Sequence, residues 1–406
     1  MPTSSISGSR EIPPTAGLPL HFADLLARRQ GDFPSAVAAF LGVPEAAVEC
    51  SGTACLVVIL KTLQRLSGRS TVVVPAYTCP LVVFAVAHCG LRLKVCDVAP
   101  GSLELCPQTL ENLCDADTLA VIPTHLGGRV AAIDPIVAIA RRHGAFVVED
   151  AAQALGARDR GATVGLAGDA AFFSLAAGKG LSLYEGGIWI ARDPALRAEL
   201  ARTSAETISS RPLMEIRRCL ELLGYAAFYR PRPLRHVYGA PLRRALGRGD
   251  PVAAAGDVFS PAIPLHRVSG WRQSVGRAGL ARLPRFQAAL KQRALARLPH
   301  LSRLPGVKVF GDGDGATGTW PLFMLLMPHQ GVRDAVLAEL WGAGLGLARM
   351  FAHALPDYDY LRPWVAPQDC PNARDFAAHS LTLSNSLWLD DTRFDFVLRA
   401  LERHLR

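Results

Sequence analysis

Between about residue 50 and residue 195, short β-branched and aromatic runs alternate with stretches of helical period. The runs are TVVVP from 71, LRLKVCDV from 91, TLAVIP from 118, AFVVED from 145, AAFFSL from 170 and GIWIA from 187. Such alternation predicts βαβ units and a mainly parallel sheet covered on both faces, with ligands at the carboxyl ends of the strands. Ser51 is placed to cap a helix that stops near Gly68, and Ile133 to His143 reads as a helix closed by Gly144.

The rhythm breaks over 205–265, where RPRPLRHVYGAPLRRALGRGDP is dense in proline, arginine and glycine. This predicts an insertion or mobile loop. Ile216 to Arg230 also fits an amphipathic helix, lying either on a membrane or partner or, more commonly, across the core. Trp271 to Leu298 reads as one long helix. After Pro305 come VKVF, the turn GDGDGATG, the strand TWPLFMLLM and two further helices, which suits a smaller α+β C-terminal domain. The turn at 311–318 lacks the full oxygen set of a calcium loop and reads as a hairpin turn. The expected division is 1–270, an N-terminal arm and large domain, and 271–406, a linking helix and small domain.

Composition narrows the class. At 406 residues, 50% hydrophobic and 19% charged, the chain is an ordinary globular protein of two or three compact units. It contains no apolar run approaching the roughly 20 residues of a membrane span, and the opening MPTSSISGSREIPP lacks the pattern of a signal peptide. A cytoplasmic protein is expected. The nine cysteines show no CxxC pair or Cys/His ladder, so neither a disulfide framework nor a metal site is expected. The net charge of +9 concentrates between Glu206 and Asp250, with nine arginines against four acids. No aromatic-basic motif accompanies them, which argues against nucleic acid.

The chain has only five lysines, Lys61, Lys94, Lys179, Lys291 and Lys308. Lys179 alone sits in a small-residue setting, SLAAGKGLSLYEGG, after a buried strand, where a bulky ring approaches the backbone and a Schiff-base amine finds access and partial desolvation. A surface lysine in a glycine-rich loop is the plainer reading. Ser51, Gly52 and Thr53 open a helix and form either a phosphate site or only a cap. Asp150 ends its strand on the ligand side, suited to a pyridine nitrogen or to capping the next turn. Gln153 either supports such a ring and its phenolic oxygen or satisfies backbone groups. Ser174 donates to a phosphate or bonds locally.

Taken together, SGTAC at 51, VVVPAYTCP at 72, VIPTHLGGR at 121, VVEDAAQALGA at 147, GATVGLAGDAAFFSLAAGKGLSLYEGG at 161 and the closing SLTLSNSLWLDD resemble, in order, the blocks of the DegT/DnrJ/StrS family of sugar aminotransferases. The resemblance spans most of the chain. It implies the type I fold of pyridoxal 5'-phosphate (PLP) enzymes, an α/β large domain with a seven-stranded-type sheet, and a homodimer with active sites at the subunit interface. It makes Lys179 the Schiff-base and proton-shuttling residue and Asp150 the pyridine-nitrogen partner. Gln153 packs by the ring, and Ser174 with Gly52, Thr53 and Ala54 holds the phosphate. The implied reaction moves an amino group from an amino acid, usually glutamate, to a keto sugar, here expected to be nucleotide-linked and destined for surface polysaccharide or secondary-metabolite sugars. Family dehydratases carry histidine where this chain has Lys179, so lysine argues for transamination.

The chain departs from that pattern in three places. The family's stacking aromatic two residues after PAY is Cys79 here, leaving Tyr77 or the Cys79 thiol to cover the ring. A partner-subunit asparagine that reaches the phosphate aligns with Leu265, beside His266 and Arg267. The basic segment at 205–265 is longer than the family's and suits a diphosphate, a lipid-linked substrate, a membrane or a partner enzyme. Two other readings stand beside the sugar aminotransferase: a non-catalytic descendant that docks through the basic segment, and a type I aminotransferase for a non-sugar ketone.

Overall fold

A computed structural model describes residues 10–27 and 32–406. The opening residues read for a leader therefore lie largely outside the described residues. Each apolar run of the first half becomes a strand of one seven-stranded sheet: β1 (Ala47–Glu49), β2 (Thr71–Pro75), β3 (Arg92–Cys96), β4 (Thr118–Val121), β5 (Phe146–Asp150), then β8 (Ala170–Ser174) and β9 (Gly187–Ala191). The order is β1-β9-β8-β5-β4-β2-β3. β8, β5, β4, β2 and β3 run parallel, and β9 is antiparallel to both β8 and β1. β2, β4 and β9 are buried along their whole length, as continuous apolar runs in a sheet covered on both faces require.

Between β5 and β8 lie β6 (Arg158–Asp159) and β7 (Ala162–Thr163). With β11 (Ala316–Thr317) they form a three-stranded sheet that ties the C-terminal part to the large one. β10 (Lys308–Val309), β12 (Leu322–Leu326), β13 (Leu347–Ala348) and β14 (Ser380–Ser384) form an antiparallel four-stranded sheet. The turn at 311–318 joins β10 and β12 by way of β11, and among the described residues no cluster could hold a metal ion.

Local chemistry sets the helix ends. Ser51 caps Gly52–Ser67 by accepting from the Ala54 N–H at 3.0 Å, and Gly68 closes it at φ 71°. The helix expected from Ile133 is Asp134–Arg142, with Ile133 as N-cap.

Three expectations are corrected. The 205–265 segment is not a loop: beside the Pro212–Phe228 helix, which takes up most of the amphipathic stretch at Ile216 to Arg230, it holds helices at Pro231–Leu234, Ala240–Gly247 and Pro251–Ala255, with a π turn at Arg235–Gly239. The long helix expected over 271–298 is two, Gly270–Leu280 and Leu283–Leu301, because Pro284 has no N–H to continue the first ladder and instead opens the second. The C-terminal part also has three longer helices rather than two, Gln330–Leu340, Pro371–His379 and Asp391–His404.

Candidate active site

The parallel strands deliver their last residues to one edge of the sheet. A cavity of about 690 Å³ opens there. Thr78 and Cys79 follow β2, Thr124 and His125 follow β4, Asp150 ends β5 and Ser174 ends β8; all six line it, as does Lys179 in the loop between β8 and β9. This is the ligand edge of an open α/β sheet.

Asp150 is 3% exposed. Its Oδ1 accepts from the Ala152 N–H at 3.0 Å. Burial lifts its carboxyl to about 6, and Lys179 and His125 act in the opposite direction. Burial lowers the Lys179 ammonium from its usual range, and the Asp150 carboxylate partly restores it. A half-buried lysine that gives up its proton more readily than an exposed one is a usable nucleophile. The Cys79 thiol is pushed up to about 12 by burial and stays neutral.

The N-terminal arm fixes the lysine loop. Thr15 Oγ1 donates to the Gly178 carbonyl at 2.8 Å, and the Leu18 N–H donates to the Gly180 carbonyl at 3.1 Å. The Tyr229 hydroxyl accepts from the Gly17 N–H at 3.0 Å and donates to the Thr15 carbonyl at 3.2 Å, holding the arm in turn.

At the opposite wall the Gly52–Ser67 helix points its amino end into the cavity. The first N–H groups of a helix have no intrahelical partner and carry a partial positive charge. Ala54, however, is fully buried and its N–H is taken by Ser51 Oγ, so that amide is not free for a phosphate. Gly52 and Thr53 remain on the wall. A Cβ on Gly52 would lie 3.3 Å from Ser174 Cβ, so glycine keeps the cradle open between helix and strand.

The structure brings together Gly52, Thr53, Cys79, Asp150, Gln153, Ser174 and Lys179. Gln153 is already engaged: its Oε1 accepts from the Gly127 N–H at 2.6 Å and its Nε2 faces Met350 Sδ at 3.4 Å. Tyr77 stands behind the wall. It is 1% exposed, its ring packs on Phe351 and Phe376, and its hydroxyl sits 3.3 Å from the Phe351 amide nitrogen, so it is not free to stack on a ligand. The Cys79 thiol lines the cavity instead. Leu265 and His266 are buried within this chain, with His266 Nδ1 3.2 Å from Glu215, which leaves only the exposed Arg267 able to reach outward.

Several wall residues were not singled out from sequence. His125 Nδ1 accepts from the Ala131 N–H at 2.9 Å, which puts the ring proton on Nε2, donated to Glu149 at 2.9 Å. Glu149 also accepts from the Gly165 and Gly168 amides at 2.7 and 2.6 Å. The result is a rigid imidazole beside Asp150. Its position just past β4, matching that of Asp150 at the end of β5, was the available signal. Arg349 and Arg248 also line the cavity, Arg349 from the C-terminal part and Arg248 from the 205–265 segment.

These residues fit PLP. The cradle that a Cβ at Gly52 would crowd, the amino end of a 16-residue helix, a buried carboxyl and an amine of lowered basicity are the kinds of group that its phosphate, ring nitrogen and aldehyde would require.

The model of the DegT/DnrJ/EryC1/StrS aminotransferase family matches residues 25–225. GDP-perosamine synthase of Caulobacter vibrioides is 28% identical over 92% of this chain and 89% of its own length. The L-glutamine:2-deoxy-scyllo-inosose aminotransferase of Streptomyces fradiae is 36% identical over 47% of this chain, which spans 46% of that protein. Among solved structures, a putative sugar aminotransferase from Streptococcus pneumoniae in its PMP form superposes with a TM-score of 0.75 at 18% identity, covering 97% of this chain and 99% of that one. DesI in the presence of its TDP-sugar product gives 0.73 at 22%, covering 98% and 93%. These likenesses show the fold. The chain belongs to the DegT/DnrJ/EryC1/StrS aminotransferase family and is a PLP-dependent transaminase.

Proposed function

We propose that this enzyme moves an amino group from an amino acid, glutamate in the first instance, to a keto sugar carried on a nucleotide, in the synthesis of a surface polysaccharide or secondary-metabolite sugar, and that its working form is a cytoplasmic homodimer. The observation that carries the site assignment is the approach of the Lys179 amine and the Asp150 carboxyl to one cavity at the ligand edge of the sheet. Sequence kinship with a GDP-perosamine synthase over most of the chain supports a sugar acceptor.

Bound PLP supplies an electron sink and a carbon that trades nitrogen with amines and ketones. Lys179 would hold the cofactor through Nζ, and its freed amine would take a proton from the donor's α-carbon and give it back. The Asp150 carboxylate would keep the ring nitrogen protonated. The Gly52 and Thr53 amides with the Ser174 hydroxyl would bind the phosphate, with the neutral Cys79 thiol on the same wall.

Three arginine or lysine side chains line the cavity. Lys179 is the anchor. The Arg349 guanidinium is engaged by the Ala352 and Ala377 carbonyls. Arg248 is exposed and has no carboxylate partner among the described residues. It is the unspent cation and suits a phosphate of the acceptor.

The test is the visible spectrum of the purified protein with PLP, before and after borohydride and after glutamate. The expected band reduces irreversibly onto Lys179, bleaches with glutamate and is absent in Lys179→Ala. A native protein without the band, or a band unchanged in the variant, would leave a non-catalytic descendant as the reading. A band that bleaches with glutamate and returns with simple keto acids but with no nucleotide keto sugar would point to a non-sugar acceptor.

A further inference from the structure

The Pro212–Phe228 helix is apolar on two faces. Its inner face buries Leu222 and Tyr225 in a cluster with Leu20, Tyr229, Leu234 and Val275, which is enough to seat it on the molecule. Its outer face carries Leu213, Ile216, Leu220, Leu223 and Phe228, between 43% and 85% exposed. Leu213, Ile216, Leu220 and Leu223, spaced by three and four residues, make one stripe along a helix about 25 Å long, with Phe228 at its end. A surface helix in water keeps that face polar, so a second apolar stripe marks a contact.

The charge around the stripe says what it meets. All four acids between Glu206 and Asp250 are engaged. Glu206 pairs with Arg65 at 2.7 Å, Glu215 with Arg272 at 2.9 Å and Glu221 with Arg218 at 2.6 Å, while Asp250 caps the Ala253 N–H at 2.9 Å. Arg211 at the head of the helix and Arg232 and Arg244 beyond its tail are exposed and pair with no carboxylate among the described residues. Along the chain the stripe is therefore flanked on both sides by arginines with no carboxylate partner among the described residues. A second copy of the chain meeting this face across a two-fold axis would set the same arginines against each other. An anionic bilayer satisfies both features, taking the leucines into the acyl boundary and the guanidiniums among head-group phosphates.

We infer that this helix docks the enzyme on the surface of an anionic membrane. No described helix is long and apolar enough to cross one, so the attachment is peripheral.

The experiment is co-sedimentation of the PLP-loaded full chain with vesicles of phosphatidylcholine alone or mixed with phosphatidylglycerol. The protein is expected to sediment with the mixed vesicles, to be released by salt, and to stay in solution with the neutral ones. Ile216→Ser with Leu220→Ser is expected to weaken binding at least about tenfold with unchanged cofactor absorbance. Arg211→Ser with Arg232→Ser tests the charge without touching the apolar face and is expected to give a similar loss. Failure to sediment with either vesicle, or binding by either double variant as tight as the wild type's, overturns the inference. It is also overturned if the wild type ignores vesicles and the leucine variant lowers its mass in light scattering, since a second copy would then cover the stripe.

Discussion

Asp150 gains from the cofactor what the bare protein denies it. Burial raises its carboxyl from 3.8 to about 6, so in the cofactor-free protein the folded state holds a proton that the unfolded chain has already released. Between about pH 4 and 6 the native state binds the extra proton, and this group's contribution to stability falls as pH rises. Two pKa units amount to about 3 kcal/mol. Asp150→Asn, without a titrating group, escapes that loss. Urea unfolding of the cofactor-free proteins is therefore expected to show the variant gaining on the wild type from pH 4 to pH 6 by up to about 3 kcal/mol and holding the gain at pH 7. A difference that stays flat across that range would mean Asp150 is not buried as described. The same substitution removes the anion that would hold the ring-nitrogen proton, so glutamate-driven bleaching of the loaded protein is expected to slow by at least about a hundredfold.

At the scale of elements, the phosphate cradle depends on β9 passing against the turn into the Gly52–Ser67 helix. A Cβ on Gly187 would come within 2.4 Å of the Ser51 carbonyl and 2.6 Å of the Gly52 nitrogen, and those are backbone atoms that cannot swing aside. Gly187→Ala is expected to cost about 1–3 kcal/mol in thermal unfolding, as overpacking does, and to weaken PLP about tenfold in equilibrium dialysis by shifting the helix amino end. Lost stability with unchanged PLP affinity would dissociate the cradle from the phosphate. The sheet around this junction was legible in the sequence because period, caps and strand-end residues are local signals. Within 205–265 the amphipathic period of Ile216 to Arg230 was legible, but the helix starts and the shorter helices were not, since their prolines read as breakers. Pro212, Pro231 and Pro251 each stand at the first position of a helix, where the missing N–H has no intrahelical role. Lys179, Asp150 and Ser174 were readable from strand ends and composition. Tyr77 was misplaced because the same strand-end logic cannot tell which side chain turns into the core, and Arg248 was missed because it reaches the site only through tertiary packing.

The cavity belongs to no single segment of the molecule. The arm contributes Pro14 and Thr15, the large sheet contributes Asp150 and Ser174, the C-terminal part contributes Arg349 and Met350, and the inserted helices contribute Tyr238 and Arg248. Asp257 binds the last two regions together, with its carboxylate accepting from the Ala352 N–H at 2.6 Å and the Tyr358 hydroxyl at 2.7 Å. The chemistry lies at the sheet edge and the inserted helices wall the other side, so the two half-reactions make different demands on the wall. An amino-acid donor needs the Lys179 side of the cavity. A sugar bearing a diphosphate must extend beyond it, where Arg248 is the cavity cation without a carboxylate partner among the described residues. Arg248→Ala is therefore expected to raise KM for a nucleotide-linked keto sugar roughly tenfold or more, the loss of one charge-assisted hydrogen bond, with kcat nearly unchanged. The glutamate half-reaction, followed by single-turnover bleaching, should keep its rate. Equal losses in both half-reactions would make Arg248 a structural support of the wall, and no change in either would mean that the acceptor's phosphates lie elsewhere.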